Sequence, residues 1–238
     1  PLAMVAASPN GGNPSEIPNE DSIDFELDEI NVLRANRMSG LDRVEGGVRG
    51  AYGLRWAAYP PRGGFLAAQV AQGWRAHADS TYAKESGFGD NLSDYVGRVD
   101  VSPNSNLSFL NRVRLDRNDF EVRRNESTIS LGPRLLRLSA SYMMFERSEV
   151  ADRRQYLVYT VASDLTRYWT AMGTVSHDLT EEGGPLGWQG RLIYSDECFA
   201  FVSNVRRFYT SDRDLESGYD VTFNIVFKTL GDVPFNLF

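Results

Sequence analysis

The sequence predicts an all-β protein, an antiparallel transmembrane β-barrel or a share of one amounting to about twelve strands. Three observations predict it. Apolar and polar residues alternate with period two in segment after segment, as in strands with two unlike faces. The apolar faces carry many aromatic residues, which collect where a barrel wall meets lipid headgroups. The connections alternate between short and long along the chain, as periplasmic turns and outer loops do. A soluble sandwich has no reason to sort its loops in this way.

Composition narrows the class. The chain has 238 residues, 42% of them hydrophobic, with a mean hydropathy of -0.37. No run approaches the roughly 20 apolar residues of a spanning helix, whereas a barrel strand needs an apolar residue only at every second position. The net charge of -7 argues against a nucleic-acid binder. Lys84 and Lys228 are the only lysines, so the positive charge is nearly all arginine. Cys198 is the one cysteine; it is either a thiol in a reducing compartment or has its partner outside this chain. The start, Pro1-Leu2-Ala3-Met4, has neither the basic region nor the apolar core of a signal peptide. With no initiator methionine, the sequence predicts a fragment of a longer protein.

The elements follow in order. Residues 1–21 are expected to be an entry loop, because Ser8 to Pro18 (SPNGGNPSEIP) is turn chemistry. Ile23, Phe25 and Leu27 alternate with Asp24, Glu26 and Asp28, predicting a strand that leads to Leu33. Arg34 to Arg43 has neither period and reads as a loop. The clearest strand comes next: Val44, Val48, Tyr52, Leu54 and Trp56 on one face, Glu45, Arg49, Ala51 and Arg55 on the other. It exceeds the usual soluble strand of about 5–6 residues and suits a tilted membrane strand of about 9–11.

After the turn Tyr59-Pro60-Pro61-Arg62-Gly63 come Leu66, Ala68, Val70 and Trp74, with Gln69 and Arg75 behind them. His77 to Asn91 is a long polar loop. Tyr95, Val99 and Val101 then oppose Arg98 and Asp100, and beyond the turn at Ser102 to Ser105, Leu107, Phe109, Val113 and Leu115 oppose Arg112, Arg114 and Asp116. Phe120 to Leu131 is a less regular strand, and Gly132-Pro133-Arg134 turns into Leu136, Leu138, Ala140, Tyr142 and Met144. The remaining strands carry Leu157, Tyr159 and Val161; Trp169, Ala171, Gly173 and Val175; Leu186, Trp188, Gly190, Leu192 and Tyr194; and Phe199, Phe201 and Val205. Tyr219, Val221, Phe223, Ile225 and Phe227 form the apolar face of the predicted last strand. Strands and loops thus occupy 22–230, and 231–238 is a tail. With the chain end taken as periplasmic, the connections at 58–63, 103–105, 132–134, 163–166 and 195–197 share the periplasmic side and are short. Those at 34–43, 77–91, 146–154, 178–185 and 210–217 fall outside, and only Arg117 to Asp119 departs from the rule. Twelve such strands could close alone or form part of a larger wall.

The inward faces carry Arg49, Arg55, Arg98, Arg112, Arg114 and Arg191 among their basic residues, against fewer acids. Guanidinium forks suit phosphate, and they equally suit lumen salt bridges or contacts to a plug. Asn36, Arg37, Gly40, Asp42 and Arg43 belong to an outer loop that either folds into the lumen as a lid or forms a tight turn. His77 and His177 stand alone without metal-ligand spacing. No cofactor is expected, and no nucleophile-elbow sequence accompanies Asp21, Ser22 or His177, so the sequence does not read as an enzyme.

The segment Ile17 to Trp56 contains Pro18-Asn19-Glu20-Asp21-Ser22, Phe25-Glu26-Leu27-Asp28, Asn36-Arg37, Ser39-Gly40-Leu41-Asp42-Arg43 and Tyr52-Gly53-Leu54. Downstream stand Arg123-Arg124-Asn125-Glu126, Asp196-Glu197-Cys198-Phe199 and Ser211-Asp212-Arg213-Asp214. In these motifs nearly the whole chain resembles the C-terminal barrel region of LptD, the LPS-assembly family of the outer membrane, especially its alphaproteobacterial members. Val32-Leu33 and Met38 stand where more aromatic residues would be expected. The resemblance implies the C-terminal part of a very large barrel, of about 26 strands, in the outer membrane of a Gram-negative bacterium. It implies transfer of lipopolysaccharide to the outer leaflet through a lumen and a lateral gate. The implied partners are the plug lipoprotein LptE, a periplasmic lipopolysaccharide bridge reached through a missing N-terminal domain, and the barrel-insertion machinery. By the same resemblance Cys198 joins a cysteine of that missing domain, and Tyr219 to Phe227 would be one lip of the gate and the assembly signal. A passive outer-membrane pore or a receptor barrel is the competing reading, and an outer-membrane hydrolase a third.

Overall fold

A computed structural model describes residues 1–9, 26–38, 42, 44–61, 63–78, 82, 86–146, 152–209 and 217–228, and the backbone of 231–236. Its strands are β1 (Leu2–Ser8), β2 (Gly47–Ala58), β3 (Phe65–Arg75), β4 (Leu92–Asn104), β5 (Leu107–Leu115), β6 (Val122–Leu131) and β7 (Arg137–Phe145). The chain continues through β8 (Arg154–Asp164), β9 (Trp169–Asp178), β10 (Pro185–Ser195), β11 (Phe199–Phe208), β12 (Tyr219–Phe227) and β13 (Gly231–Asn236). They lie in one sheet in the order of the sequence, each hydrogen-bonded to the next. No α-helix is found among the described residues. From β2, with 12 residues, to β12, with 9, the strands are of membrane-spanning length. The all-β antiparallel prediction stands.

Period two sorts the faces as the sequence predicts. Val48, Tyr52, Leu54 and Trp56 of β2 are exposed, while Arg49 and Ala51 are buried with Glu45 just ahead of them. The short connections, β2–β3, β4–β5, β6–β7, β8–β9 and β10–β11, come at every second turn. Of the other connections, β5–β6 and β9–β10 are no longer than β2–β3, and in the β5–β6 turn Phe120 has a φ of 59°. Its ring stacks on Tyr95, 5.5 Å away, which offsets part of a cost of about 1–3 kcal/mol.

Three expectations change. The entry loop contains β1, which pairs with β2 from Leu2 opposite Gly53 to Ser8 opposite Gly47. Its alanine-rich sequence hides it from β-propensity, and Gly50 lets it in: a Cβ there would stand 2.7 Å from the Met4 carbonyl oxygen. The tail likewise contains β13, paired with β12 from Gly231 opposite Phe227 to Asn236 opposite Thr222. Pro234, opposite Asn224, lacks the amide donor of a central strand and masked it. Tyr219 to Phe227 is therefore not the outermost strand.

The strand expected over Ile23 to Leu33 is also absent from its described part, because local hydrogen bonds turn the chain. Asp28 Oδ1 accepts from the amides of Ile30 and Asn31, at 2.8 and 2.6 Å. The Asn31 side chain accepts from the Asp28 amide and donates to the Glu26 carbonyl. Such Asx turns compete directly with a ladder.

Two compact units are distinguished. The first comprises Pro1–Pro103, Leu110–Glu126 and Met144–Arg153. Its core consists of Leu27, Val32, Met38, Ala51, Ala71, Tyr82, Phe88 and Val96, so residues 26–38 and part of the long loop after β3 cover the inward face of the strands. The second comprises Asn104–Phe109, Ser127–Met143 and Arg154–Phe238, and none of its described side chains is buried. Its polar face is knitted by cross-strand pairs: Thr128 with Ser141 at 3.0 Å, Ser130 with Ser139 at 2.8 Å, and Thr160 with Thr174 at 3.2 Å. Its other face presents Leu138, Tyr159, Val161 and Val175 uncovered. A soluble sheet buries such a face against a second layer.

Candidate functional site

The site lies in the first unit, where residues 26–38 and Glu45 meet the inward face of β2 to β6. Period two directs Arg49 from β2, Gln69 and Arg75 from β3, Arg98 from β4, Arg112 and Arg114 from β5 and Arg124 from β6 toward this segment. Its carboxylates meet them.

Glu45 sits at the deepest point. Its Oε2 accepts from the Arg37 amide at 3.2 Å and Arg37 Nε at 2.9 Å, and its Oε1 from Arg37 Nη2 at 2.6 Å and Arg75 Nη2 at 2.7 Å. Arg49 Nε stands 3.5 Å from Oε2, and its guanidinium donates to the Ala35 carbonyl and to Ser8 Oγ. One carboxylate thus serves three guanidinium groups. The aromatic rings of the long loop share the load: Arg37 lies over Phe88 at 3.9 Å, and Arg75 lies over both Tyr82 and Phe88. Arg37 Nη1 makes no hydrogen bond among the described residues, and a Cβ at Gly73 would lie 2.9 Å from it. Burial lowers the Arg37 pKa, and Glu45 opposes that shift. Burial, then the Glu45 charge, pushes the Tyr82 phenol up to about 12.

A shallower row lies beside it. Glu29 Oε1 stands 3.1 Å from Arg112 Nε and 3.6 Å from Arg98 Nη1, and the Glu29 carbonyl accepts from Gln69 Nε2 at 2.9 Å. Glu26 Oε2 accepts from Arg124 Nη1 at 3.1 Å, and Arg124 also pairs with Glu126. Arg98 and Arg112 each keep a third of their side chain exposed. A polar cavity of about 350 Å3 opens here, with Glu29, Arg55, Gln69, Arg98 and Asp100 in its lining.

The structure brings Arg37, Arg49, Arg98, Arg112 and Arg114 together with carboxylates; Arg114 pairs with Asp94 at 3.5 Å and donates to the Ser86 carbonyl. Arg55 lines the cavity without an ion pair among those described. Asn36 Oδ1 accepts from the amides of Met38 and Glu45, and Asp42 is half-buried. Gly40 and Arg43 lie outside the described residues. In the second unit, Arg191 Nε donates to Asn204 Oδ1 at 2.6 Å. Cys198 is exposed, its amide donating to Asp196 Oδ1 at 2.8 Å. The apolar row Tyr219, Val221, Phe223, Ile225 and Phe227 faces Arg207, Val205, Ser203, Phe201 and Phe199 of β11. Sequence reasoning missed Glu26, Glu29, Tyr82 and Phe88. The cluster Glu26, Asp28, Glu29, one segment ahead of an arginine-bearing sheet, was the available signal.

This arrangement stabilises an acidic segment against a basic sheet face and leaves guanidinium forks at its exposed margin. Among the described residues it sets no nucleophile and base together. Comparison with curated proteins finds none that matches. The family model described as LptD, LPS transport system D, matches residues 1–169, a span that holds the whole arginine–carboxylate site and most of the strands that position it. On that match, and on a sheet of membrane-length strands with one polar and one uncovered apolar face, the chain belongs to the LptD family, the outer-membrane component of lipopolysaccharide transport.

Proposed function

We propose that the chain is part of the barrel wall through which lipopolysaccharide is set into the outer leaflet. The arginine-bearing face lines the lumen, and residues 26–38, fastened at Glu45, are a lid over it. One observation carries this reading: Glu26 and Glu29 occupy guanidinium groups that are still partly exposed, at Arg124, Arg112 and Arg98. A phosphate competes for the same forks with equal geometry and more charge. The buried Arg37–Glu45–Arg75 contact is then the fixed root of the lid, and the outer row its exchangeable margin. Lipopolysaccharide phosphate displaces the outer carboxylates, the lid swings, and the headgroup passes.

The finer parts of the reading follow from the family. The lateral seam opens at a strand edge; in this chain β13 lies outside β12, so Tyr219 to Phe227 stand at least one strand behind that edge. Cys198 joins a cysteine of the periplasmic domain, which receives lipopolysaccharide from the periplasmic bridge. LptE plugs the lumen, and the insertion machinery reads the last strands. A lid over the lumen argues against a passive pore.

The test is a cysteine pair at Glu29→Cys and Gln69→Cys in the full-length parent, beside both single variants. Oxidation should lock the lid and stop the appearance of new surface lipopolysaccharide in the pair alone, with recovery on reduction. Unchanged delivery by the locked protein would sink the lid reading.

A further inference from the structure

The apolar face of the second unit is not uniform. Gly173 of β9 and Gly190 of β10 stand directly opposite each other, with Val161 beside Gly173 and Val205 beside Gly190 in register. Two glycines therefore form the floor of a cross-strand row. The next row toward the longer connections is bulky: Tyr159 faces Val175, and Val175 faces Trp188. On the other side the row is Ser163, Ala171 and Leu192. The result is a notch of about 570 Å3 in the apolar face, within the range of about 300–1,000 Å3 for small-molecule sites.

Nothing among the described residues calls for Gly190. Its backbone is not among those with positive φ, and a Cβ added to it would meet no atom within 4 Å. A glycine in a strand interior gives up conformational entropy and a packing side chain. Where neither backbone nor neighbours require it, the remaining reason is close approach by another molecule. That molecule meets an almost wholly apolar lining, and it meets it on the face opposite the hydroxyl and arginine pairs.

We propose that the notch seats one acyl chain of a membrane lipid along Gly173 and Gly190, with Tyr159, Val175 and Trp188 as its wall. The inference rests on the barrel reading, which turns this face to the bilayer, and goes beyond it by separating one fixed chain from the fluid lipid around it. The exposed surface of the lining is almost wholly apolar and carries no charged side chain to hold a headgroup. The chain alone is the ligand.

The experiment uses the full-length parent in vesicles of phosphatidylethanolamine with a diazirine midway along one acyl chain. Adducts are mapped by mass spectrometry after illumination. Tyr159, Val161, Val175 and Trp188 should carry several-fold more adduct than Leu54 and Trp56, which are at least as exposed. Gly190→Leu should remove most of that excess, and Gly190→Ala part of it, without changing the adducts at Leu54 and Trp56. The open space at Gly190 lets both variants fold, which heat-modifiable gel mobility checks. Equal labelling of the two patches, or labelling indifferent to Gly190→Leu, would overturn the notch while leaving the bilayer-facing assignment intact. Absence of adducts from Leu54 and Trp56 as well would overturn the assignment with it.

Discussion

Glu45 holds Arg37 by two side-chain hydrogen bonds of 2.6 and 2.9 Å, and both side chains are fully withdrawn from solvent. Glu45 begins the approach to β2, and Arg37 stands beside Met38, the last residue of the described segment that lies over it. The pair fastens residues 26–38 to the sheet at one end.

Glu45→Ala should release that segment. It strands Arg37 and Arg75 without their carboxylate, and breaking a buried pair from one side costs about 3–5 kcal/mol. Hydrogen exchange at the amides of residues 26–38 should rise by orders of magnitude while β9 to β11 keep their protection. Unchanged exchange at Leu27 and Val32 would show that packing alone holds the segment.

The outer ion pairs should be swappable. Arg112→Glu replaces the Arg112–Glu29 ion pair with two facing carboxylates and should speed exchange over residues 26–33 several-fold, a partly exposed ion pair being worth about 1 kcal/mol or less. Glu29→Arg in the same molecule should restore most of the protection. In cells, reversing Arg112 and Arg114 together should slow delivery of lipopolysaccharide to the surface; normal surface levels would remove these residues from the transport path.

Alkaline titration should loosen the same region. The Tyr82 phenol is pushed up to about 12, above its ordinary value of about 10. Its raised pKa means that the folded form holds the proton more tightly, so the contribution is intact below about pH 10 and is lost as the pH climbs through 12. Tyrosinate absorbance and exchange at residues 86–88 should rise together in that window. Tyr82→Phe removes the titration but keeps the ring under Arg75.

Cys198 is accessible on a turn pinned by Asp196, whose Oδ1 accepts from the amides of Cys198 and Phe199 at 2.8 and 2.9 Å. Those amides, Phe199 foremost, hold the Asp196 carboxylate below its ordinary range. The turn should therefore stay ordered at neutral pH and loosen as acid protonates Asp196. On non-reducing gels the full-length parent should shift on reduction, and Cys198→Ser should abolish the shift. Identical mobility of all forms would leave the thiol unpaired.

The sequence by itself determined the strands and their faces. Period two over β2 to β12 is a local property, written in alternation such as Val48, Tyr52 and Leu54 against Arg49 and Ala51. It could not show β1 or β13, because an alanine-rich run and a run broken by Pro234 become strands only when a neighbour offers a ladder. Nor could it show that Glu26, Glu29 and Glu45 turn onto the sheet. In the sequence Glu26 and Glu45 read as the polar faces of strands and Glu29 falls on the apolar one, until Asp28 and Asn31 close a turn and Arg112 and Arg124 arrive from distant positions. The tertiary structure alone decided these pairings, since burying a carboxylate is favourable only where several guanidinium groups converge, and their convergence depends on strand register rather than on any local run of residues.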